Sequence, residues 1–177
     1  MIANGGNRLQ PSVVCGVDGS YGAVVALRVA AQLARALRVR LVVAHVVQPQ
    51  PTAAGLGPTA HQLEAVPLDA LLAGGEALID RILDEEQLDE VERRVIFGFA
   101  PDRLADLADE ERAERIVLGS RGRRGFKAAW LGSVSADVVS VARCPVLVVP
   151  PAAASPDGEL PTVSPTTRGV LGSGLPR

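Results

Sequence analysis

Five short apolar runs rich in β-branched residues punctuate the chain: Val13 to Val17, Leu41 to Val47, Val95 to Phe97, Ile116 to Leu118 and Val146 to Val149. Each is too short for a helix and apolar at successive positions, the pattern of strands buried on both faces. Helical periodicity fills the gaps between them. Leu27, Ala30, Ala34 and Leu37 recur at helical spacing while Arg28, Arg35 and Arg38 take other positions, so Ser20 to Arg38 reads as an amphipathic helix. Further helices are expected at Asp69 to Gln87, at Asp102 to Glu111 with Pro101 just before it, and at Ser133 to Ala142. Strands alternating with helices require right-handed crossovers, which build a parallel sheet with helices on both faces. The expected class is α/β: a three-layer αβα sandwich on a five-stranded parallel sheet, Rossmann-like.

Composition agrees and narrows the partners. Of 177 residues 47% are hydrophobic but only 3% aromatic, so Ala, Val, Leu and Ile must fill the core. A formal net charge of -2 gives no global basic field for nucleic acid or an anionic membrane surface, and neither is expected as a partner. No run approaches the ~18 consecutive apolar residues of a transmembrane helix. Met1 to Ser12 also lacks the apolar stretch of a secretory signal. Cys15 and Cys144 lie far apart inside apolar runs, as buried free thiols do, which fits a reducing, cytoplasmic setting. Residues 1–10 read as a flexible arm and 11–150 as the folded domain. Residues 151–177, with five Pro and four Gly, read as a disordered tail.

The chemistry concentrates between Val117 and Val149, where Gly119, two residues on Gly122, and nine residues later Gly132-Ser133 follow one another. A strand ends at Gly119, so these glycines belong to the carboxyl edge of the sheet, where ligands of open α/β folds bind. Gly119 and Gly122 can adopt positive φ and admit a ligand close to the backbone. Ser133 opens a helix whose free N–H groups attract an anion, and the hydroxyls of Ser133 and Ser135 add donors. From Arg115 to Ala136 there is no acidic residue, while Arg115, Arg121, Arg123, Arg124 and Lys127 are basic. Singly, each feature is also what a turn, a helix cap or a solvated loop would show. Their coincidence at one strand end points to a polyphosphate.

With this glycine pattern the chain resembles the universal stress protein family of the nucleotide-binding type. The likeness covers about residues 11 to 150 and includes Val17-Asp18-Gly19-Ser20, His45-Val46, Gly98 to Pro101 and the closing Cys144-Pro145-Val146-Leu147-Val148-Val149-Pro150. The resemblance implies strand order 3-2-1-4-5 and a site for ATP, or for AMP or cyclic AMP in its place. In that site Val17, Asp18 and Val46 meet the adenosine. Gly119, Arg121, Gly122, Gly132, Ser133, Val134 and Ser135 meet the phosphates and ribose, the last three partly through backbone N–H groups. As a strand-end carboxylate, Asp18 suits Mg2+ carried in with the phosphates, and equally the orienting of the ribose or adenine. The resemblance also implies a homodimer joined along Val146 to Val149, and a regulatory protein partner that reads the nucleotide state. Two departures, Tyr21-Gly22-Ala23 at the start of the first helix and Trp130 inside the nine-residue excursion, are expected to leave the glycines untouched.

Other motifs are set aside. Gly55-Leu56-Gly57-Pro58-Thr59-Ala60 fits a dinucleotide fingerprint but follows a Pro-rich loop, and no phosphate-loop lysine motif or nucleophile elbow occurs. His45 and His61 have no partner at metal-ligand spacing, and His45 reads as a strand-end packing residue. With a phosphate cradle and no evident general base, the chain reads as a binding module, at most a slow ATPase. Two rivals stand beside it. An adenine-nucleotide α-hydrolase would need an S-G-G-x-D-S loop where this chain has Gly16-Val17-Asp18-Gly19-Ser20, and a nucleotide-free dimeric scaffold would need no bare backbone at the glycines.

Overall fold

The computed structural model describes residues 10–48, 66–120 and 131–151. Residues 1–9 of the arm, 152–177 of the tail, the Gly55 motif, His61 and Trp130 therefore lie outside the described residues. In chain order the elements are β1 (Ser12–Gly16), α1 (Tyr21–Leu37), β2 (Arg40–Val47), α2 (Leu68–Glu85), β3 (Glu92–Phe97), α3 (Ala100–Glu110), β4 (Ala113–Gly119), α4 (Ser133–Val141) and β5 (Val146–Val149). All strands are parallel, in the order β3-β2-β1-β4-β5. Val13, Cys15, Leu41 and Val43 turn to the face covered by α1 and α2, while Val14, Val42, Ile116 and Leu118 turn to α3 and α4. Burial of Cys15 pushes its thiol up to about 12, which leaves it inert. Among the described residues no helix is long and apolar enough to cross a membrane.

Three elements start two or more residues earlier than expected, each for a local reason. The third helix starts at Ala100 because Pro101 suits a first turn, where its missing N–H has no intrahelical partner anyway. The fourth strand extends to Ala113–Gly119, since Glu114 and Arg115 interrupt the apolar pattern while the backbone on either side of the apolar run stays paired with β1 and β5. The third strand starts at Glu92, three residues before its apolar part, because charged side chains are used as ties along its first half.

Those ties form a network at the amino edge of the sheet. The Arg40 guanidinium, 6% exposed, donates through Nη1 to Glu92 at 2.7 Å and to Glu111 at 3.1 Å. Arg94 donates to Glu111 at 2.7 Å and to Glu92 at 2.9 Å. Arg40 also donates to the Gln10 carbonyl at 2.9 Å, and Ser12 Oγ donates to the Glu111 carbonyl at 3.0 Å. Burial works against the Glu111 charge, but the hydrogen bonds from Arg94 and Arg40 outweigh it and hold the carboxyl below the usual carboxylate range.

Candidate functional site

At the opposite, carboxyl edge, β1 and β4 are neighbours whose following helices leave to opposite faces: α1 packs on one side and α4 on the other. Such a reversal opens a crevice at the strand ends. Val17 and Asp18 follow β1, Val46 lies near the end of β2, Gly119 ends β4, and Gly132 to Ser135 form the start of α4. These eight expected residues therefore share one edge. Arg121 and Gly122 lie outside the described residues.

The turn after β1 is fixed by two short contacts. Asp18 Oδ1 accepts from the Ser20 N–H at 3.0 Å, and Ser20 Oγ accepts from the Ala23 N–H at 3.2 Å, capping α1. Gly19 between them has φ +78, a left-handed conformation open to glycine at little cost.

Gly119 is needed for a reason other than the one expected. Its φ is not in the left-handed region, and a Cβ there would lie 2.7 Å from the carbonyl carbon and oxygen of Gly22. Its bareness lets β4 meet the first turn of α1. This also corrects the reading of Tyr21-Gly22-Ala23 as remote from the motif glycines: the Gly22 backbone rests directly against Gly119.

Beyond β4 the chain is pinned at both ends of its excursion. The Ser120 N–H donates to the Val149 carbonyl at 2.8 Å, and the Gly132 N–H donates to the Ser120 carbonyl. Gly132, with φ -69 and ψ 156, is the N-cap of α4, and no side chain caps this helix. The N–H groups of its first turn thus face the crevice without an intrahelical acceptor. Ser135 departs from expectation. Its hydroxyl is buried and donates to the Gly119 carbonyl at 2.8 Å, so it ties α4 to β4 and its proton is not offered to a ligand. Only its backbone N–H remains for that role.

Two further residues join this edge. Ser120 has a buried hydroxyl with no partner among the described residues, and His45 places Nδ1 2.8 Å from the Val17 carbonyl. Neither has a spacing that sequence alone would single out, although His45 stands beside Val46 in the motif already quoted. No group of three His, Cys, Asp or Glu side chains among the described residues is placed to hold a metal ion. Uncapped N–H groups at a helix start, set in such a crevice, suit a phosphorylated ligand.

Comparison with known proteins bears on the same region. Residues 11–150 match the model of the universal stress protein family. The chain is 33% identical over 145 residues to universal stress protein Rv1636 of Mycobacterium tuberculosis, covering 78% of this chain and 94% of that one. A universal stress protein solved in complex with cAMP is 29% identical with a TM-score of 0.53, covering 79% of this chain and 96% of that one. One from Archaeoglobus fulgidus in complex with dAMP is 26% identical with a TM-score of 0.54, covering 78% and 96%.

Proposed function

The chain belongs to the universal stress protein family, and on that premise we propose that it binds an adenine nucleotide at the carboxyl edge of β1, β2 and β4 and serves as a nucleotide-dependent regulatory module in the stress response of the cytoplasm. The uncapped start of α4, set where β4 and β1 end, carries this reading. Family members bound to cAMP and dAMP support the adenine part. ATP or AMP is the ligand, cyclic AMP competes with it, and Mg2+ enters with the phosphates beside Asp18. Val17, Asp18 and Val46 meet the nucleoside; Gly119, Arg121, Gly122 and the backbone of Gly132 to Ser135 meet the phosphates. Hydrolysis is at most slow, and a regulatory protein partner reads the bound state.

The test is a thermal-unfolding titration with ATP, AMP and cyclic AMP on wild type and Ser133→Pro. Gly132 already has the extended backbone that precedes proline, and the first helical N–H has no intrahelical partner, so α4 tolerates the change. At a hundredfold excess over Kd, nucleotide should stabilise wild type by about 2.7 kcal/mol, or roughly 5–10 °C in midpoint. Ser133→Pro should melt like wild type when free and bind about tenfold more weakly, having lost an N–H and a hydroxyl aimed at phosphate. No shift with any of the three nucleotides, once co-purified nucleotide is stripped, would sink the proposal.

The homodimer belongs to the same reading. The two sheet edges are β3, guarded by Glu92, Arg93 and Arg94, and β5, which reads Val-Leu-Val-Val without a charge. Leu147, Val139 and Val141 near it are exposed. The Ile116 N–H donates to the Pro145 carbonyl and the Ser120 N–H to that of Val149, so odd-numbered residues face β4 and the N–H groups of Val146 and Val148 point outward. Val148→Pro should therefore spare the fold and yield a monomer where wild type is a dimer. Light scattering at micromolar concentration decides, and a wild-type monomer would count against the dimer.

A further inference from the structure

His45 is half-buried on the α2-covered face of β2, and its Nδ1 lies 2.8 Å from the Val17 carbonyl oxygen. A carbonyl oxygen only accepts, so Nδ1 carries a proton and donates. The Val17 N–H in turn donates to the Ala44 carbonyl at 2.8 Å. Both backbone groups of Val17 are thus held by β2, one through backbone and one through a side chain. Gly75 of α2 leaves room for the ring, since a Cβ there would lie 3.0 Å from His45 Cδ2.

The imidazole bond changes the strand ladder. The Val17 N–H bonds to Ala44 and the Gly98 N–H to Val47, so even-numbered residues at the end of β2 turn toward β1 and odd-numbered ones toward β3. One more parallel rung would carry the Val46 N–H to the Val17 carbonyl. Pairing stops instead at Gly16 with Ala44, and the carbonyl accepts from the ring. The Val46 N–H, turned to the side of β1 where Asp18 leaves the sheet, makes no bond to the Val17 carbonyl.

We infer that His45 is a positioning residue for the nucleoside. By taking the Val17 carbonyl it ends the β1–β2 ladder one rung early, fixes the Val17-Asp18 segment, and leaves the Val46 N–H to donate to an acceptor nitrogen on the edge of a bound purine. This rests on the adenine-nucleotide reading above and adds a specificity device to that site.

The test compares wild type with His45→Asn, His45→Gln and His45→Leu by AMP calorimetry, free-state melting, and amide hydrogen exchange at Val46 and Val43. The Asn side-chain amide places an N–H where Nδ1 stood; that of Gln reaches the Nε2 position, and Leu has no donor. Asn should bind AMP within about threefold of wild type, and Gln and Leu about tenfold or more weakly. In free wild type the Val46 amide should exchange on the order of a hundredfold faster than Val43, and AMP should protect it. In His45→Leu the rung should re-form and protect Val46 without ligand. Asn and Gln differ by one methylene, so their comparison stands if the Leu variant fails to fold. Equal AMP affinity in all variants, or a Val46 amide as protected as Val43 in free wild type, overturns the positioning role alone. Failure of wild type to bind AMP, ATP or cyclic AMP overturns the nucleotide reading and the role with it.

Discussion

Glu111→Ala should lower the unfolding free energy by about 3–5 kcal/mol, because it removes one partner of a buried ion pair and leaves the other in place. The Glu111 side chain is 4% exposed and takes hydrogen bonds from Arg40, itself 6% exposed, and from Arg94. Without it, among the described residues Arg40 retains Glu92 and the backbone carbonyls of Gln10 and residue 111, and Arg94 retains Glu92 and the Arg93 carbonyl. Denaturant titration at pH 7 measures the loss, and a value under about 1 kcal/mol would show that these groups behave like solvent-screened surface pairs. The pH dependence has a definite sign. A carboxyl whose folded value is depressed contributes stability that is fully present above its ordinary value near 4.5 and is lost as pH falls through the lower folded value. The gap between wild type and Glu111→Ala should therefore be constant near neutrality and close below about pH 4. Because the network ties the amino ends of β1, β2 and β3, away from the site, the folded variant should keep its nucleotide affinity.

The same network marks where sequence stops being legible. The apolar part of β3 was visible as Val95 to Phe97, but Glu92-Arg93-Arg94 carry no strand signal of their own, and the partners that hold Glu92 and Arg94 sit at Arg40 and Glu111, far off in the chain. Hydrophobic period identifies strands buried on both faces; it is silent where an edge strand is held by charge. At the site the glycine spacing was legible and located the carboxyl edge. The reason for each residue was not. Ser135 was expected to offer its hydroxyl to a ligand and instead gives it to the Gly119 carbonyl, a contact between residues brought together only by β4 and α4 packing. His45 looked like a packing residue, and its ring also takes a backbone carbonyl of the neighbouring strand end.

Gly119→Val tests whether the first glycine of the motif serves the fold or the ligand. Even the first carbon of a side chain would lie 2.7 Å from the Gly22 carbonyl group and 3.0 Å from the Ala23 nitrogen, all backbone, which cannot swing away as a flexible side chain would. Accommodation requires β4 and α1 to separate, and overpacking of this kind costs about 1–3 kcal/mol, with more expected for the branched side chain. Separation would also disturb the Ser20 cap and the Ser135 tie, so the free protein should lose about 3 kcal/mol before any nucleotide is added. Gly74→Ala is the internal control. A Cβ at Gly74, exposed on α2, meets nothing within 4 Å, and there the substitution should stabilise by about 0.5–1 kcal/mol through helix propensity and reduced chain entropy. Opposite signs for the two changes, read by denaturant titration without ligand, would establish that Gly119 is first a packing glycine and only through that a site residue. If Gly119→Val instead keeps full free-state stability and loses only nucleotide binding, the close contact with Gly22 is not what demands glycine there, and direct approach of the ligand to the strand end is.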